Sequence, residues 1–356
     1  MSFHKDLFHA IEKFLWILLK PFFFSLDPEK AHHFVVGAMK IFSPVFYLGK
    51  SFYDFKINGK NHPSLEKKVF GIKFPNPVGL AAGFDKNAEI FKQMSSLGFG
   101  FIEIGTVTPV AQDGNPKKRI FRLVNDNAII NRLGFNNDGV DKIADRLRKK
   151  GNIIIGGNIG KNKVTPNEKA KDDYLLCFKA LYDNVDYFAV NVSSPNTPNL
   201  RDLQNINDLR EILSPLIKEN KKRESKPILI KISPDLIDDD IKDLVDMALD
   251  LKIDGIITSN TTIKRNNLKS KKKLTNETGG LSGQPLNNRS TDIIRLIHEY
   301  SNKKLPIIGV GGIMTTQDAL DKINAGASLI QLYTGFIYNG PSFARNINKE
   351  IIKSLN

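Results

Sequence analysis

The chain has 356 residues, 41% of them hydrophobic and 25% charged, enough apolar content to bury a large core as one big α/β domain or two ordinary ones, which excludes a disordered chain. A single cysteine, Cys177, excludes an intrachain disulfide and a cysteine metal cluster and fits a reducing compartment. The formal net charge of +14 favours anionic partners without choosing among nucleic acid, lipid headgroups and small anions; the runs Lys221-Lys222-Arg223 and Lys271-Lys272-Lys273 lie between structured segments and read as solvated loops.

The first 50 residues differ from the rest. Phe3, Leu7, Phe8, Ile11, Phe14, Leu15 and Leu18 recur at helical spacing, and Lys20-Pro21 predicts a break after them. Beyond the exposed-looking Phe22-Phe23-Phe24, Asp27 caps a second helix with Pro28 at its first position, and Ala31, Phe34, Val35, Ala38 and Phe42 give it an apolar face. The apolar stretch Phe14 to Leu19 falls far short of the ~20 residues that cross a bilayer, and no small-residue cleavage site follows it. Two short aromatic-rich amphipathic helices carrying lysines suit a segment lying in one leaflet, and equally a helical hairpin packed on the main domain.

Lys68-Val69-Phe70 and Ile72-Lys73-Phe74 flank Gly71 and predict a small hairpin. Strand-like runs then follow at Val78 to Ala81, Phe101 to Ile104, Ile153 to Ile155, Tyr187 to Val190, Ile228 to Ile232, Gly255 to Ile257, Ile307 to Val310 and Leu329 to Leu332. Helix-patterned sequence separates most of them, as at Glu89 to Leu97, Val140 to Lys149, Tyr174 to Tyr182, Ile241 to Leu251 and Thr316 to Ala325. Eight β units with helical crossovers fit a (β/α)₈ TIM barrel better than a doubly wound sheet. Two insertions break the rhythm. Arg119 to Val124 and Ala128 to Leu133 form a β-ribbon around Asn125-Asp126-Asn127, and the long polar segment from Asn260 to Gly283 reads as a functional lid.

Barrel chemistry concentrates where strands end, and here those ends are polar. They are Ala82-Gly83-Phe84-Asp85-Lys86, Gly105-Thr106-Val107-Thr108, Asn158-Ile159-Gly160-Lys161, Asn191 to Asn196, Lys231, Ser259-Asn260-Thr261-Thr262, Gly311-Gly312 and Tyr333-Thr334-Gly335. One shared ligand site explains them. Alone, Asn191-Val192-Ser193-Ser194-Pro195-Asn196-Thr197-Pro198 would be an Asx/Ser turn leading into a helix; beside the others it is a fixed set of donors and acceptors. The glycines after strands seven and eight let backbone amides approach an oxyanion, so a phosphate-bearing ligand is expected there. Lys231, within an apolar run, requires either an anion to face or the lowered pKa of a Schiff-base lysine. No histidine, paired-carboxylate or Cys/His motif indicates a metal or hydrolytic site, so the chemistry needs a cofactor.

These motifs resemble the dihydroorotate dehydrogenase family. The residues that carry the likeness are Gly79 to Asn87, Ile104 to Pro109, Asn131 to Asn137, Asn158 to Asn162, Asn191 to Pro198, Thr278 to Gly283 and Ile308 to Ile313, in the family's order. Ser194 stands where the membrane-associated class 2 enzymes have a serine base and the soluble class 1 enzymes a cysteine. The resemblance implies FMN, a quinone that reoxidises it, and oxidation of dihydroorotate to orotate in pyrimidine (UMP) synthesis. It implies a helical membrane and quinone-access segment over 1–50, a catalytic barrel over 66–356, and a peripheral position on the cytoplasmic side of the inner membrane, touching its anionic surface and no nucleic acid.

By the same resemblance, FMN would lie against the backbone of Ala81, Ala82, Gly83, Phe84 and Asp85, with Thr106, Asn158, Asn191, Lys231 and Ser259 around it and its phosphate at Gly283, Gly312, Tyr333 and Thr334. Orotate would meet Lys86, Asn131, Arg132, Leu133, Gly134, Phe135, Asn191, Asn196, Asn260 and Thr261, and the quinone His32 and Arg122. Thr106 is a candidate relay for the Ser194 proton. Departures from the family pattern are small: Phe84 replaces a leucine, and Ser259 and Thr334 exchange one hydroxyl for another. The rivals are a flavin barrel that reduces uridine in tRNA, against which stands the missing loop cysteine, and a basic membrane-surface adaptor without activity.

Overall fold

The computed structural model describes residues 2–44, 56–57 and 60–355, and side chains from residue 11 onward except those of residues 56–61. The predicted roles of Phe3, Leu7 and Phe8 therefore lie outside the described side chains. The helices α1 (Ser2–Ser25) and α2 (Pro28–Ile41) come first. Short pairs follow, β1 (Lys56–Ile57) with β2 (Lys60–Asn61) and β3 (Lys67–Val69) with β4 (Ile72–Phe74), the latter being the expected hairpin around Gly71.

Eight parallel strands close a barrel: β5 (Val78–Leu80), β6 (Phe101–Val107), β9 (Ile155–Ile159), β10 (Tyr187–Asn191), β11 (Ile228–Ile232), β12 (Gly255–Thr258), β14 (Ile307–Val310) and β15 (Leu329–Leu332). Each expected run is present, with β9 displaced from Ile153–Ile155 towards its polar end. The antiparallel sheet β13-β8-β7, of β7 (Ile120–Leu123), β8 (Ala128–Asn131) and β13 (Gly280–Gly283), is the β-ribbon with a third strand. That third strand comes from the long polar segment, which is not a structureless lid. A helix (Lys272–Thr275) interrupts it, Arg265 donates to the Glu277 and Gly279 carbonyls, and Asp126 accepts from the Lys269 and Ser270 amides.

The pleat sends alternate side chains into the barrel. At its N-terminal end Phe101, Tyr187, Leu229 and Leu329 fill the interior, and Phe74 of the β3–β4 hairpin plugs it, edge-on to Phe101 at 5.2 Å. A second core lies between the strands and helices such as Ile206–Asn220 and Asn287–Tyr300. The strands are thus buried on both faces, which accounts for their continuous apolar runs.

The N-terminal helices depart from expectation at one point: α1 continues through Pro21 to Ser25. Proline removes one hydrogen bond there, but tertiary contacts hold the helix on both sides. The Trp16 indole donates to the Tyr338 carbonyl at 3.3 Å, and the Phe24 ring meets the Tyr338 ring edge-on at 5.1 Å. Asp27 caps α2 as expected, accepting from the Glu29 and Lys30 amides. The helix is pinned by a buried ion pair in which Glu29 of α2 accepts from Arg119 Nη2 at 2.7 Å, and Arg119 also donates to the Asp113 and Asn115 carbonyls. Removing one member of such a pair strands the other charge. Glu29→Ala should therefore weaken the docking of α2 by about 3 kcal/mol, read as faster proteolytic release of the N-terminal helices while the thermal transition of the barrel holds.

Candidate active site

Period-two alternation places Glu103, Lys231 and Gln331 one layer above the aromatic plug, all buried. The Glu103 carboxylate accepts from four groups: Asn158 Nδ2 at 2.8 Å and Lys231 Nζ at 3.1 Å on one oxygen, Gln331 Nε2 at 2.6 Å and the Tyr187 hydroxyl at 3.3 Å on the other. This is the anion that Lys231 requires, so the Schiff-base reading fails. The Tyr187 phenol, buried beside that carboxylate, is held well above its usual pKa, first by burial and then by the Glu103 charge.

From that layer a chain of side-chain hydrogen bonds climbs to the strand ends. Asn158 Oδ1 accepts from the Thr106 hydroxyl at 2.6 Å, and Thr106 Oγ1 accepts from Asn191 Nδ2 at 2.8 Å. Asn191 Oδ1 accepts from Asn260 Nδ2 at 3.2 Å, while the same Asn260 amide reaches Ser193 Oγ at 3.0 Å. Four strands thereby fix one another's polar termini.

Above the chain opens a polar cavity of about 140 Å³. Its walls bring together Ala81, Ala82, Gly83, Lys86, Thr106, Asn131, Leu133, Gly134, Phe135, Asn191, Ser194, Asn196, Lys231, Ser259, Asn260, Thr261, Gly283, Gly312, Tyr333 and Thr334, with Gln331 among the further lining residues. Four expected residues sit elsewhere. Asn158 lies in the layer beneath. The Asp85 carboxylate turns back to accept from the Glu89 and Ile90 amides, and burial lifts it to about 6. The Arg132 guanidinium faces outward, paired with Glu277 at 2.6 Å. Phe84 points into a second cleft. A sequence motif locates a backbone position, not the direction of its side chain, and for Phe84 and Asp85 the expectation concerned the backbone.

Within the Asn191–Pro198 loop, Ser194 Oγ accepts from the Asn196 amide at 3.2 Å, and Arg201 braces the loop by donating to the Ser193 and Thr261 carbonyls and pairing with Asp235 at 2.8 Å. Thr106 gives its proton to Asn158 and makes no hydrogen bond to Ser194. Thr197, three residues beyond Ser194 and not anticipated, is buried with its hydroxyl unpartnered, as are Ser259 Oγ, Asn196 Oδ1 and Gln331 Oε1. Of these, Ser259, Asn196 and Gln331 line the cavity, and buried polar atoms left so at a cavity wall mark where a polar ligand completes the set. At the opposite end, Gly312 has φ +74°, and a Cβ there would lie 2.2 Å from the Cα of Asn287; Gly283 has φ +99° and would meet the Asn127 carbonyl at 2.3 Å. Only glycine fits either turn, and both leave backbone facing the cavity.

The second cleft, about 530 Å³ and mainly apolar, lies between α1, α2 and the barrel. His32 and Arg122 both line it. Burial, then the Lys86 and His33 charges, pull His32 down to about 3, so its imidazole is neutral at physiological pH; its ring stands edge-on to Phe84 at 5.1 Å. Arg122 lies over Phe24 and closes the end of α1 by donating to the Leu26 carbonyl at 2.7 Å. Lys86, Leu133 and Tyr333 line both cavities, which thus lie back to back. Burial, then Arg119, lower Lys86 to about 8, leaving a cation that an incoming carboxylate would stabilise.

A family model for dihydroorotate dehydrogenase matches residues 64–355. The chain belongs to the dihydroorotate dehydrogenase family. It is an oxidoreductase, and relatives named dihydroorotate dehydrogenase (quinone) include that of Christiangramia forsetii, 55% identical with 94% of this chain and 98% of the relative covered, and that of Gloeobacter violaceus, 52% identical over 94% and 92%. Among solved structures, the dihydroorotate dehydrogenase of Eimeria tenella in complex with ferulenol superimposes with a TM-score of 0.82 at 39% identity, covering 94% of each chain. The chain's reaction is accordingly oxidation of dihydroorotate in pyrimidine synthesis, as the resemblance implied.

Glu103 was missed, yet its signal was available: a carboxylate within the apolar run Phe101-Ile102-Glu103-Ile104, as legible as the lysine in Ile230-Lys231-Ile232. Glu103→Gln cannot accept four donors and leaves Lys231 buried without a counter-charge. It should cost about 3–5 kcal/mol of stability, seen as a lowered urea midpoint.

Proposed function

We propose that the chain oxidises dihydroorotate to orotate, towards UMP, with FMN in the polar cavity as hydride acceptor, Ser194 as the base and a membrane quinone at the apolar cleft as final electron acceptor. The observation that carries this reading is the pair of cavities set back to back across the Ala81–Lys86 loop, one polar and lined by strand ends, the other apolar and opening among the N-terminal helices. A donor that must exclude a lipid-soluble acceptor from its own site, yet pass electrons to it, needs that arrangement.

FMN supplies two-electron acceptor chemistry that no side chain of the site offers. The unpartnered Ser259 and Gln331 atoms, the Ala81 to Gly83 backbone, Thr106 and Asn191 would hold its ring system, with Asn158 fixing Thr106 from below. Lys231, anchored by Glu103, would supply positive charge to favour a reduced, negatively charged ring system. The turns at Gly283 and Gly312, with Tyr333 and Thr334, would take the phosphate.

Lys86 would bind the substrate carboxylate, and Asn131, Asn196, Asn260 and Thr261 its amide edges, with Asn191 beneath and Leu133 to Phe135 against the ring. Arg132 would act indirectly, by tying this segment to Glu277. Serine is a weak base at its free pKa; the Asn196 amide on Ser194 Oγ favours the oxygen as it loses its proton. Thr197, whose hydroxyl is uncommitted, is freer to carry that proton onward than Thr106, whose hydroxyl fixes Asn158.

His32, neutral, and Arg122 would meet the quinone, and residues 1–50 would serve as access segment to the barrel of 66–356. Among the described residues no helix is long and apolar enough to cross a membrane. Ile11, Phe14, Ile17, Leu18 and Phe22 on α1 and Phe34 and Ile41 on α2 are at least half exposed, an apolar surface suited to one leaflet of the inner membrane on its cytoplasmic side, with Lys13 and Lys30 available to anionic headgroups.

Anaerobic mixing with dihydroorotate should bleach the bound flavin, and Ser194→Ala should slow the bleaching by roughly 10²–10⁴-fold. Equal rates would remove Ser194 as base, and a bound flavin that never bleaches would remove this donor–acceptor scheme. The membrane reading is separately testable. Phe14→Glu combined with Leu18→Glu should abolish sedimentation with anionic vesicles and slow quinone reduction while leaving flavin bleaching intact; a double variant that still sediments refutes it.

A further inference from the structure

Two cationic side chains line the polar cavity, and both are engaged elsewhere. Lys231 is bound to Glu103, and Lys86 faces the apolar cleft as well. No other cationic side chain lines it, although a phosphate held at Gly283, Gly311, Gly312 and Thr334 would be a dianion.

Directly behind that end lies Lys322, in the helix Thr316–Asn324, with no exposed surface. Its ammonium donates to three acceptors, all neutral: Ser290 Oγ at 3.1 Å, Thr291 Oγ1 at 3.1 Å and the Asn287 carbonyl at 3.4 Å. The carboxylates that act on it from farther away are engaged elsewhere. Asp318 accepts from the Met314 and Thr315 amides, Asp321 from Gln317, and Asp292 pairs with Arg295. The same groups that hold Lys322 also back the glycine turn: Asn287 Nδ2 donates to the Gly312 carbonyl at 2.8 Å, and Ser290 Oγ to the Val310 carbonyl at 2.8 Å.

A buried ammonium with only neutral partners is expensive, and burial draws Lys322 down to about 8. An anion on the far side of the turn would offset that cost, and a helix start and glycine amides alone bring only partial charges to a dianion. We infer that Lys322 is a positioning residue that supplies the positive charge for the cofactor phosphate from behind the Val310–Ile313 turn, acting through Asn287 and Ser290 without touching the ligand. This rests on the FMN reading above.

The test compares FMN with riboflavin, which lacks the phosphate, by fluorescence titration of the flavin-stripped full chain. Wild type should prefer FMN. Lys322→Met should weaken FMN binding by roughly 10- to 100-fold and leave riboflavin binding within about threefold, and Lys322→Arg should restore the preference. If Lys322→Met does not fold, Lys322→Gln, which keeps a hydrogen-bonding end without the charge, carries the same comparison. Equal losses for both flavins, or no loss for either, overturn the inference while the cofactor reading stands. A wild type that binds neither flavin, or both alike, removes the cofactor reading and this inference with it.

Discussion

A carboxylate sealed inside a parallel barrel must be met by donors on every side or it unfolds its surroundings, and Glu103 meets that condition from four other strands. Asn158 of β9, Tyr187 of β10, Lys231 of β11 and Gln331 of β15 all converge on it. Because Asn158 also bonds upward, the strand ends inherit the geometry: Asn158 sets Thr106, Thr106 sets Asn191, and Asn191 with Asn260 sets the loop that carries Ser194. The polar cavity is therefore braced from below by a continuous side-chain network.

The two cavities answer different solvents. The polar one is walled by amides and hydroxyls that would be costly to bury without a polar ligand, and the apolar one by helices whose outer faces expose Phe14, Leu18 and Phe22. Between them, Lys86, Leu133 and Tyr333 form a partition one side chain thick. Lys231 faces the polar side alone and Lys86 lines both, while burial on the apolar side keeps the His32 imidazole neutral.

Buried cations at Lys231 and Lys322 illustrate two solutions to one problem. Lys231 has its anion within the protein; Lys322 has only oxygens of neutral groups. The asymmetry leaves Lys322 a buried cation without an anion of its own, and it arises in a helix of the outer ring rather than at a polar strand end.

Much of this was written locally. The eight strands were legible because burial on both faces gives continuous apolar runs, the hairpins because turn residues punctuate them, and the site because polar groups recur where those runs stop. Side-chain direction and long-range pairing were not. Nothing near Pro21 reveals that Tyr338 holds the helix across it, nothing in Gly280 to Gly283 names β8 as its partner, and Asp85 and Arg132 occupy motif positions while turning their charges away. The sequence by itself determined the barrel and the set of polar strand ends, since both follow from periodicity over a few residues. Only the tertiary structure decided which charges meet, Glu103 with Lys231 and Glu29 with Arg119, and that two cavities share one wall, because those depend on closure of the chain across distances that no local pattern encodes.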